Sequence, residues 1–193
     1  MTGSSVLPVA LHKGELYFLF GKENELEDSA KGYSDFGGGV EKGENILETA
    51  LREGGEELTG FLGDGRSLQK HMDAHGGHLK MQHDQYHMHL FCLEYDPRLP
   101  VYYNQNHAFL WERMDKRLLS QTKLFEKIKI EWFTVPMMKR RRNEFRSFYR
   151  DIVDDLIANV PRIKSFVRKC RPSFGTRKKS PRKRLQRKSR SKV

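Results

Sequence analysis

The chain has 193 residues, with 36 Lys or Arg, 25 Asp or Glu and a formal net charge of +11. That length suits one domain with a substantial core, and 37% hydrophobic residues are typical of a globular protein. No apolar run reaches the roughly 20 residues that a membrane-spanning helix needs, and the N-terminus lacks the pattern of a signal peptide. Two distant cysteines, Cys92 and Cys170, predict free thiols. We therefore expect an intracellular protein, cytoplasmic or nuclear and not secreted, without a membrane partner.

The positive charge is concentrated at the C-terminal end. Residues 162–193 hold 15 Lys or Arg and no Asp or Glu, so residues 1–161 carry 21 basic and 25 acidic residues. This division predicts a folded, mildly acidic domain over residues 1–161 and a disordered basic tail over residues 162–193. The charge density of the tail suits RNA or another nucleic acid as a partner, or nuclear import, and a solubilising tail is the alternative.

Alternating and helical apolar patterns predict the elements that follow one another along the chain. In the first half, the predictions are hairpin strands at residues 6–12 and 16–20, a glycine-rich turn at 36–40, a helix at 45–58, and a short helix at 67–75 within a polar insertion at 63–85. In the second half, they are a strand at 87–95, a helix at 107–119 within an insertion at 97–125, a strand at 128–136, and a helix at 142–160 that Pro161 ends. Strands interleaved with helices predict an α/β/α sandwich around a mixed sheet.

Three glutamates fall within one turn of the first long helix. Glu53, Glu56 and Glu57 have the spacing i, i+3 and i+4, which puts them on one face. Such a cluster is often only a solvated acidic face. Beside a glycine-rich turn, however, it offers the oxygen ligands that a hard cation uses to bind phosphate groups.

The spacing of the surrounding residues resembles the Nudix box, written G-x5-E-x7-R-E-U-x-E-E-x-G-U, where U is a bulky aliphatic residue. The matching positions are Gly38, Glu44, Arg52, Glu53, Glu56 and Glu57. The resemblance extends over about residues 5–160, and it implies a hydrolase of diphosphate linkages that uses Mg²⁺ or Mn²⁺. The style of the segment GGEELTGFLG is similar to Nudix proteins of large DNA viruses.

The resemblance also implies roles for individual residues. Glu53, Glu56 and Glu57 would bind the divalent metals, together with a main-chain carbonyl near Gly39. Gly38, Glu44 and Arg52 would brace the loop and the helix. The residues with catalytic roles would then be Arg52, the three metal-binding glutamates and Glu126, which precedes a late strand at the position of an extra acidic ligand or base. An exposed glutamate is the alternative for Glu126.

Three positions depart from the box. Gly54 stands where an aliphatic residue is expected, Thr59 stands where the closing glycine is expected, and Gly37 stands where proline is common. We expect a larger neighbour from the sheet or an insertion to fill the space at Gly54, and the helix to extend to Leu58 before Gly60 caps it. These departures affect packing and leave every carboxylate in place.

Six of the eight histidines lie between His71 and His89. Because no cysteine pair accompanies them, contact with substrate is a better hypothesis than a zinc site, and a solvated loop is the alternative. The sequence thus predicts a hydrolase of a nucleoside diphosphate linked to another moiety, with capped RNA, free nucleotides, nucleotide sugars and diphosphoinositol phosphates as open substrates. The alternatives are a non-catalytic module that binds RNA or nucleotides, and a basic structural protein associated with nucleic acid. Neither the substrate-binding residues nor the oligomeric state follows from the sequence.

Overall fold

One mixed sheet forms the centre of the computed structural model, which describes residues 2–24, 31–115, 117–118 and 125–170. A parallel ladder joins the first and sixth strands, and the other pairs are antiparallel. Within these residues the strands are β1 (Gly3–His12), β2 (Glu15–Glu23), β3 (Tyr33–Ser34), β4 (Phe36–Gly39), β5 (His78–His83), β6 (Tyr86–Cys92) and β7 (Lys127–Thr134). The order across the sheet is β3-β2-β1-β6-β5, with β4 paired to β1 and β7 paired to β2.

Helices cover both faces of this sheet. They are α1 (Ile46–Glu57), α2 (Gly65–Ala74), α3 (Arg98–Arg113), α4 (Val135–Arg140), α5 (Arg150–Ala158) and α6 (Val160–Lys169). In the part of the chain that the structure describes, none of them is long and apolar enough to cross a membrane.

Successive residues of β1 point into two separate cores. Val6 packs in one core with Leu51 of α1, whereas Leu7 packs in the other with Leu156 of α5. This alternation is the period-two pattern of a strand that is buried on both faces. The predicted α/β sandwich around a mixed sheet is therefore confirmed.

The hairpin of β1 and β2 agrees with the prediction, but three later elements differ from it. Residues 78–83, predicted as part of a polar loop, form β5 and pair with β6. The helix predicted at residues 107–119 begins earlier, because α3 spans Arg98–Arg113. The helix predicted at 142–160 is wrong over its first half, since two short 3₁₀ turns precede α5.

Pro161 begins a helix instead of ending one. It lies in the first turn of α6, where the missing N–H of proline costs no hydrogen bond. Ile163 of that helix is fully buried in the core that also contains α5. The described fold therefore continues beyond residue 161, where the sequence predicts the start of the tail. The rest of the predicted tail, residues 171–193, lies outside the described residues.

The additional helix also corrects the prediction of free thiols. It brings Cys170 back to the end of β6, where the residue forms a disulfide with Cys92. The two Cα atoms lie 6.4 Å apart, within the usual range for such a bond. The two cysteines are 78 positions apart in sequence, and they come together only through α6, a helix that the sequence does not predict.

Candidate active site

The start of α1 is fixed by a capping box. The Asn45 side chain accepts hydrogen bonds of 3.0 Å from the N–H groups of Leu47 and Glu48, and the Glu48 carboxylate accepts one of 2.8 Å from the Asn45 N–H. These bonds satisfy donors that the first helical turn leaves unpaired. The capping box therefore sets the register of the glutamates that follow.

Gly54 lets α1 lie directly against the sheet. A Cβ atom at this position would come within 2.4 Å of Val6 Cγ2, a distance that real contacts do not show. Val6 of β1 thus fills the space that an aliphatic residue at position 54 would occupy, as expected of a neighbour from the sheet. Because glycine has no side chain, α1 can make this close contact, and the contact explains why a residue of low helix propensity stands at position 54.

The end of α1 explains the second departure. The helix ends at Glu57, and Leu58 is its C-cap. The N–H of Thr59 donates to the carbonyl of Glu56 and that of Gly60 donates to Gly55, which is the pattern of a Schellman motif. Thr59 therefore takes the left-handed position with φ 48°, and its hydroxyl lies 2.9 Å from His107 Nε2 of α3.

Arg52 holds the loop before α1 against the helix. Its Nε atom lies 2.6 Å from Glu44 Oε1 and its Nη2 atom lies 3.1 Å from Glu44 Oε2, so the pair is bidentate. Thr49 Oγ1 donates a further bond of 2.8 Å to Glu44. The bond from Arg52 is the main reason that the pKa of Glu44 is lowered to about 2.

The same guanidinium gathers three other oxygen atoms of the site. Arg52 Nη1 lies 2.9 Å from Glu53 Oε1 and 3.3 Å from Glu56 Oε2, and Nη2 lies 3.4 Å from the carbonyl oxygen of Gly39. The pKa of Arg52 is raised, chiefly by its bond to Glu44. Two carboxylates and one carbonyl thus converge on a single positive group.

Gly38 explains how Glu53 reaches this position. A Cβ on Gly38 would lie only 2.3 Å from Glu53 Oε1, so the carboxylate occupies the space of the missing side chain. Gly37 donates its N–H to Glu57 Oε2 at 2.7 Å. The glycines of β4 are therefore required for the close approach of the α1 carboxylates to the strand.

Glu57 differs from its two neighbours because it is buried and paired with a lysine. Its side chain is 4% exposed, and Oε1 lies 3.2 Å from Nζ of Lys127, which is itself 1% exposed. Burial raises the pKa of Glu57, and Lys127 opposes that effect only in part. Burial lowers the pKa of Lys127, but the carboxylates of Glu57 and Glu23 outweigh it and raise the pKa overall.

A chain of contacts extends from this pair through Glu23 to Arg146. Lys127 Nζ also bonds to Glu23 and lies 2.9 Å from Ser34 Oγ. Glu23 Oε1 in turn accepts a bond of 2.6 Å from Arg146 Nη1. Glu126, half-buried beside Lys127, adds to the raised pKa of Glu57 through its negative charge.

Among the described residues, no group of three or more His, Cys, Asp or Glu side chains is arranged to hold a metal ion. Glu53, Glu56 and the Gly39 carbonyl nevertheless offer the oxygen atoms that a hard cation takes, and all three already surround the Arg52 charge. Both oxygens of Glu57, by contrast, are engaged by Lys127 and Gly37. The donor set fits a divalent cation for the first three groups and leaves Glu57 apart.

No family model and no curated protein matches the sequence. Similar solved structures include a C. elegans Ap4A hydrolase in a binary complex, with 15% identity, coverage of 87% of this chain and 93% of that chain, and a TM-score of 0.39. A mutT/nudix family protein from Listeria innocua has 11% identity, coverages of 84% and 94%, and a TM-score of 0.43. A NUDIX hydrolase from Nitrosomonas europaea has 15% identity, coverages of 85% and 91%, and a TM-score of 0.40. At these identities and TM-scores, only the side chains of the site bear on the function.

The histidines of the predicted insertion make contacts between elements. His71 and His75 stack with ring centroids 4.1 Å apart, and His71 Nε2 lies 2.8 Å from the carbonyl of Cys92. His83 Nδ1 lies 2.6 Å from Asp155, which joins β5 to α5. These contacts give the histidines named here a role in holding α2, β6 and α5 around the sheet edge.

Proposed function

We propose that the chain is a metal-dependent pyrophosphohydrolase that cleaves a diphosphate linkage in a nucleoside diphosphate joined to a second moiety. The observation that supports this proposal is the convergence of Glu53, Glu56 and the Gly39 carbonyl on one positive group. Those oxygen atoms lie next to the three glycines of β4, which carry no side chains of their own that a phosphate chain would meet.

Each residue has a separate task in this proposal. Glu53, Glu56 and the carbonyl of Gly39 would hold Mg²⁺ or Mn²⁺, whose charge would stabilise the negative phosphoryl oxygens and activate water as the nucleophile. Glu44 fixes the Arg52 guanidinium through two bonds, and Arg52 keeps the carboxylates together. Glu126 is the proposed general base that accepts the proton of the attacking water. Its charge acts on the buried pair of Glu57 and Lys127, and its side chain is only half-buried.

For Glu57 we propose a supporting role, whereas the resemblance to the Nudix box implies metal binding. Its two oxygens are bound by a lysine and by the backbone of β4, so binding a metal would break contacts that are already formed. We propose that Glu57 fixes the distance between α1 and β4 and that Lys127 supplies a permanent positive charge near the phosphates. A buried, paired carboxylate of this kind orients its neighbours without touching substrate.

The charge of the chain bears on the substrate. The last 23 residues, from 171 to 193, contain 11 Lys or Arg and no Asp or Glu. Such a segment attracts phosphate backbones without reading their sequence. We therefore propose RNA, including capped RNA, as the partner of this segment, with free nucleotides and nucleotide sugars as the competing substrates of the site.

A module that binds nucleotides without cleaving them is the second candidate. It is favoured by the buried ion pair of Glu57 and Lys127, because the ammonium group neutralises one of the three expected metal-binding carboxylates. In that case nucleotides would bind with no need for a divalent cation, and no product would form.

Glu56→Gln tests the two candidates, because the substitution removes a negative charge at nearly constant volume. Turnover with saturating Mg²⁺ should fall by at least roughly 10- to 100-fold, the loss that follows when even an outer partner of a metal site is removed. Glu48→Gln is the matched control on the same helix, since glutamine preserves the capping box. Equal turnover in both variants would contradict the metal site, and absence of any turnover in the unmodified protein would favour the binding module.

A further inference from the structure

A cavity of about 220 Å³ opens beside the glycine strand β4. Its lining includes Gly37, Gly38 and Gly39 of β4 and the larger residues Tyr86, Arg146 and Phe148. Nothing in the proposed chemistry of the glutamates uses these three side chains. The cavity is smaller than the roughly 300–1,000 Å³ of sites that enclose a whole drug-sized ligand, so it has room for one ring system.

Phe148 presents an aromatic ring to solvent at this cavity. It is 50% exposed, although the adjacent Tyr149 is fully buried in the core and fixes the backbone of the 3₁₀ turn Ser147–Tyr149. The Arg146 guanidinium lies 4.9 Å from the ring centroid of Phe148, and the ring of Tyr86 lies 6.5 Å away at a steep angle of 68°. A flat ring held in this way offers a face on which another ring can stack.

Contacts with the backbone and with Asp35 also fix Tyr86, another residue that lines the cavity. A Cβ on Gly3 would come within 2.8 Å of the Tyr86 ring, which therefore lies directly against the backbone of β1. The Tyr86 hydroxyl donates a bond of 2.7 Å to Asp35, whose other oxygen accepts a bond of 2.5 Å from Ser5. The shape of the cavity is thus set before a ligand arrives, which lowers the entropy cost of binding.

The cavity and the glutamate cluster share β4. Gly38 forms part of the cavity wall and also accommodates the carboxylate of Glu53. Arg146 is connected to Glu57 through Glu23 and Lys127. The cavity and the carboxylate of Glu53 therefore meet at the same glycine of β4.

We infer that this cavity binds the nucleobase of the substrate, with the base stacked on Phe148 and the phosphates lying across β4 toward Glu53 and Glu56. This inference rests on the proposed function, because it assigns the substrate of the same site. A base is favoured over a sugar because an exposed aromatic face and an adjacent guanidinium both attract a π system. Stacking accepts any base, so the cavity selects for a nucleotide and not for one particular base.

Phe148→Ala tests the inference in the full-length protein by calorimetry with a nucleoside 5′-diphosphate and, separately, with inorganic pyrophosphate. The variant should bind the nucleoside diphosphate roughly 10-fold or more weakly, the usual effect of losing one stacking partner, and should bind pyrophosphate normally. Phe148→Trp should retain the binding. Phe109→Ala is the matched control, because Phe109 is 55% exposed and lies under Arg113 at 3.8 Å but is on α3.

Two binding results would overturn the base site. One is equal affinity of the Phe148→Ala and Phe109→Ala variants for the nucleoside diphosphate. The other is an unmodified protein that binds the nucleoside diphosphate no more tightly than pyrophosphate. The failure of the hydrolase proposal is distinguishable, since stacking would then be measured as expected while no diphosphate bond is cleaved with Mg²⁺ or Mn²⁺. Cleavage with an unchanged KM in Phe148→Ala would reject the base site alone.

Discussion

Arg52 and Lys127 are the two residues on which the charges of the site converge. Each cation contacts at least two carboxylates, but Arg52 is a quarter exposed whereas Lys127 is almost completely buried. Solvent screens the contacts of the first residue and not those of the second. The two residues should therefore respond differently to pH and to substitution.

The ion pair of Glu44 predicts a loss of stability in acid. Because the pKa of Glu44 is lowered from 4.5 to about 2, its contribution is fully present above about pH 4.5 and disappears as the pH falls toward 2. Denaturant unfolding at several pH values should show a shallower decline for Glu44→Gln than for the unmodified protein. Glu41→Gln is the control, since its side chain is 70% exposed, and it should keep the original slope. Parallel curves for Glu44→Gln and the unmodified protein would contradict the pairing.

Replacing Lys127 with methionine should be severely destabilising. The substitution leaves Glu57 and Glu23 buried without their cation, which costs about 3–5 kcal/mol of unfolding free energy for pairs of this kind. Lys129→Met in the same strand is the control, because that lysine is 41% exposed and lies 3.9 Å from Glu131. Urea titration gives both values. A loss at position 127 no larger than that at position 129 would show that the buried carboxylates are compensated elsewhere.

Sequence spacing predicts the contacts within α1 and the preceding loop, but not those of Lys127. Arg52 and Glu44 lie eight positions apart, and the resemblance to the Nudix box implies that both brace the loop and the helix. Lys127 meets Glu57 across the sheet from a strand in which a lysine is ordinarily taken for an exposed residue. The position depends on the packing of β7 against β2, and no local pattern encodes it.

The contact between α1 and β1 decides how Gly54 responds to substitution. Alanine gains about 1 kcal/mol in helix propensity over glycine, but its Cβ would collide with Val6. Gly54→Ala should therefore lower the unfolding free energy by roughly 1–3 kcal/mol, the cost of overpacking. The double variant Val6→Ala/Gly54→Ala should recover part of this loss in thermal or urea unfolding. An increase in stability in the single variant would mean that α1 can move away from the sheet.

At the level of elements, apolar alternation predicts β1, β2, β6 and β7 to within a few residues. It fails for β5, because the exposed residues of this short edge strand are polar and resemble a loop. It also fails at Pro161, which ends helices and begins them with equal local consistency. The burial of Ile163 shows that Pro161 lies in the first turn of a helix, and burial is a property of the assembled fold that the local sequence does not reveal.

For the whole molecule, the disulfide is the main constraint that the sequence did not predict. It closes a loop between residues 78 positions apart in sequence. Cys170→Ser should lower the unfolding free energy by about 2–4 kcal/mol, because the unfolded chain regains conformational freedom. Urea unfolding of the variant and of the protein with and without a reductant measures this effect. A stability that neither the reductant nor the substitution changes would show that the pairing of Cys92 does not stabilise the domain.

The pairing of β2 with β7 has a consequence for the time course of folding. Leu19 of the second strand stands opposite Trp132 of the seventh, so the β1–β2 hairpin has an unpaired edge until most of the chain exists. Contacts between such distant segments slow folding, and exposed strand edges invite association with other chains. During synthesis at about 5–20 residues per second, this edge would remain open for several seconds. Nascent chains that end before residue 127 should therefore aggregate or require a chaperone, whereas chains released after residue 170 should fold alone.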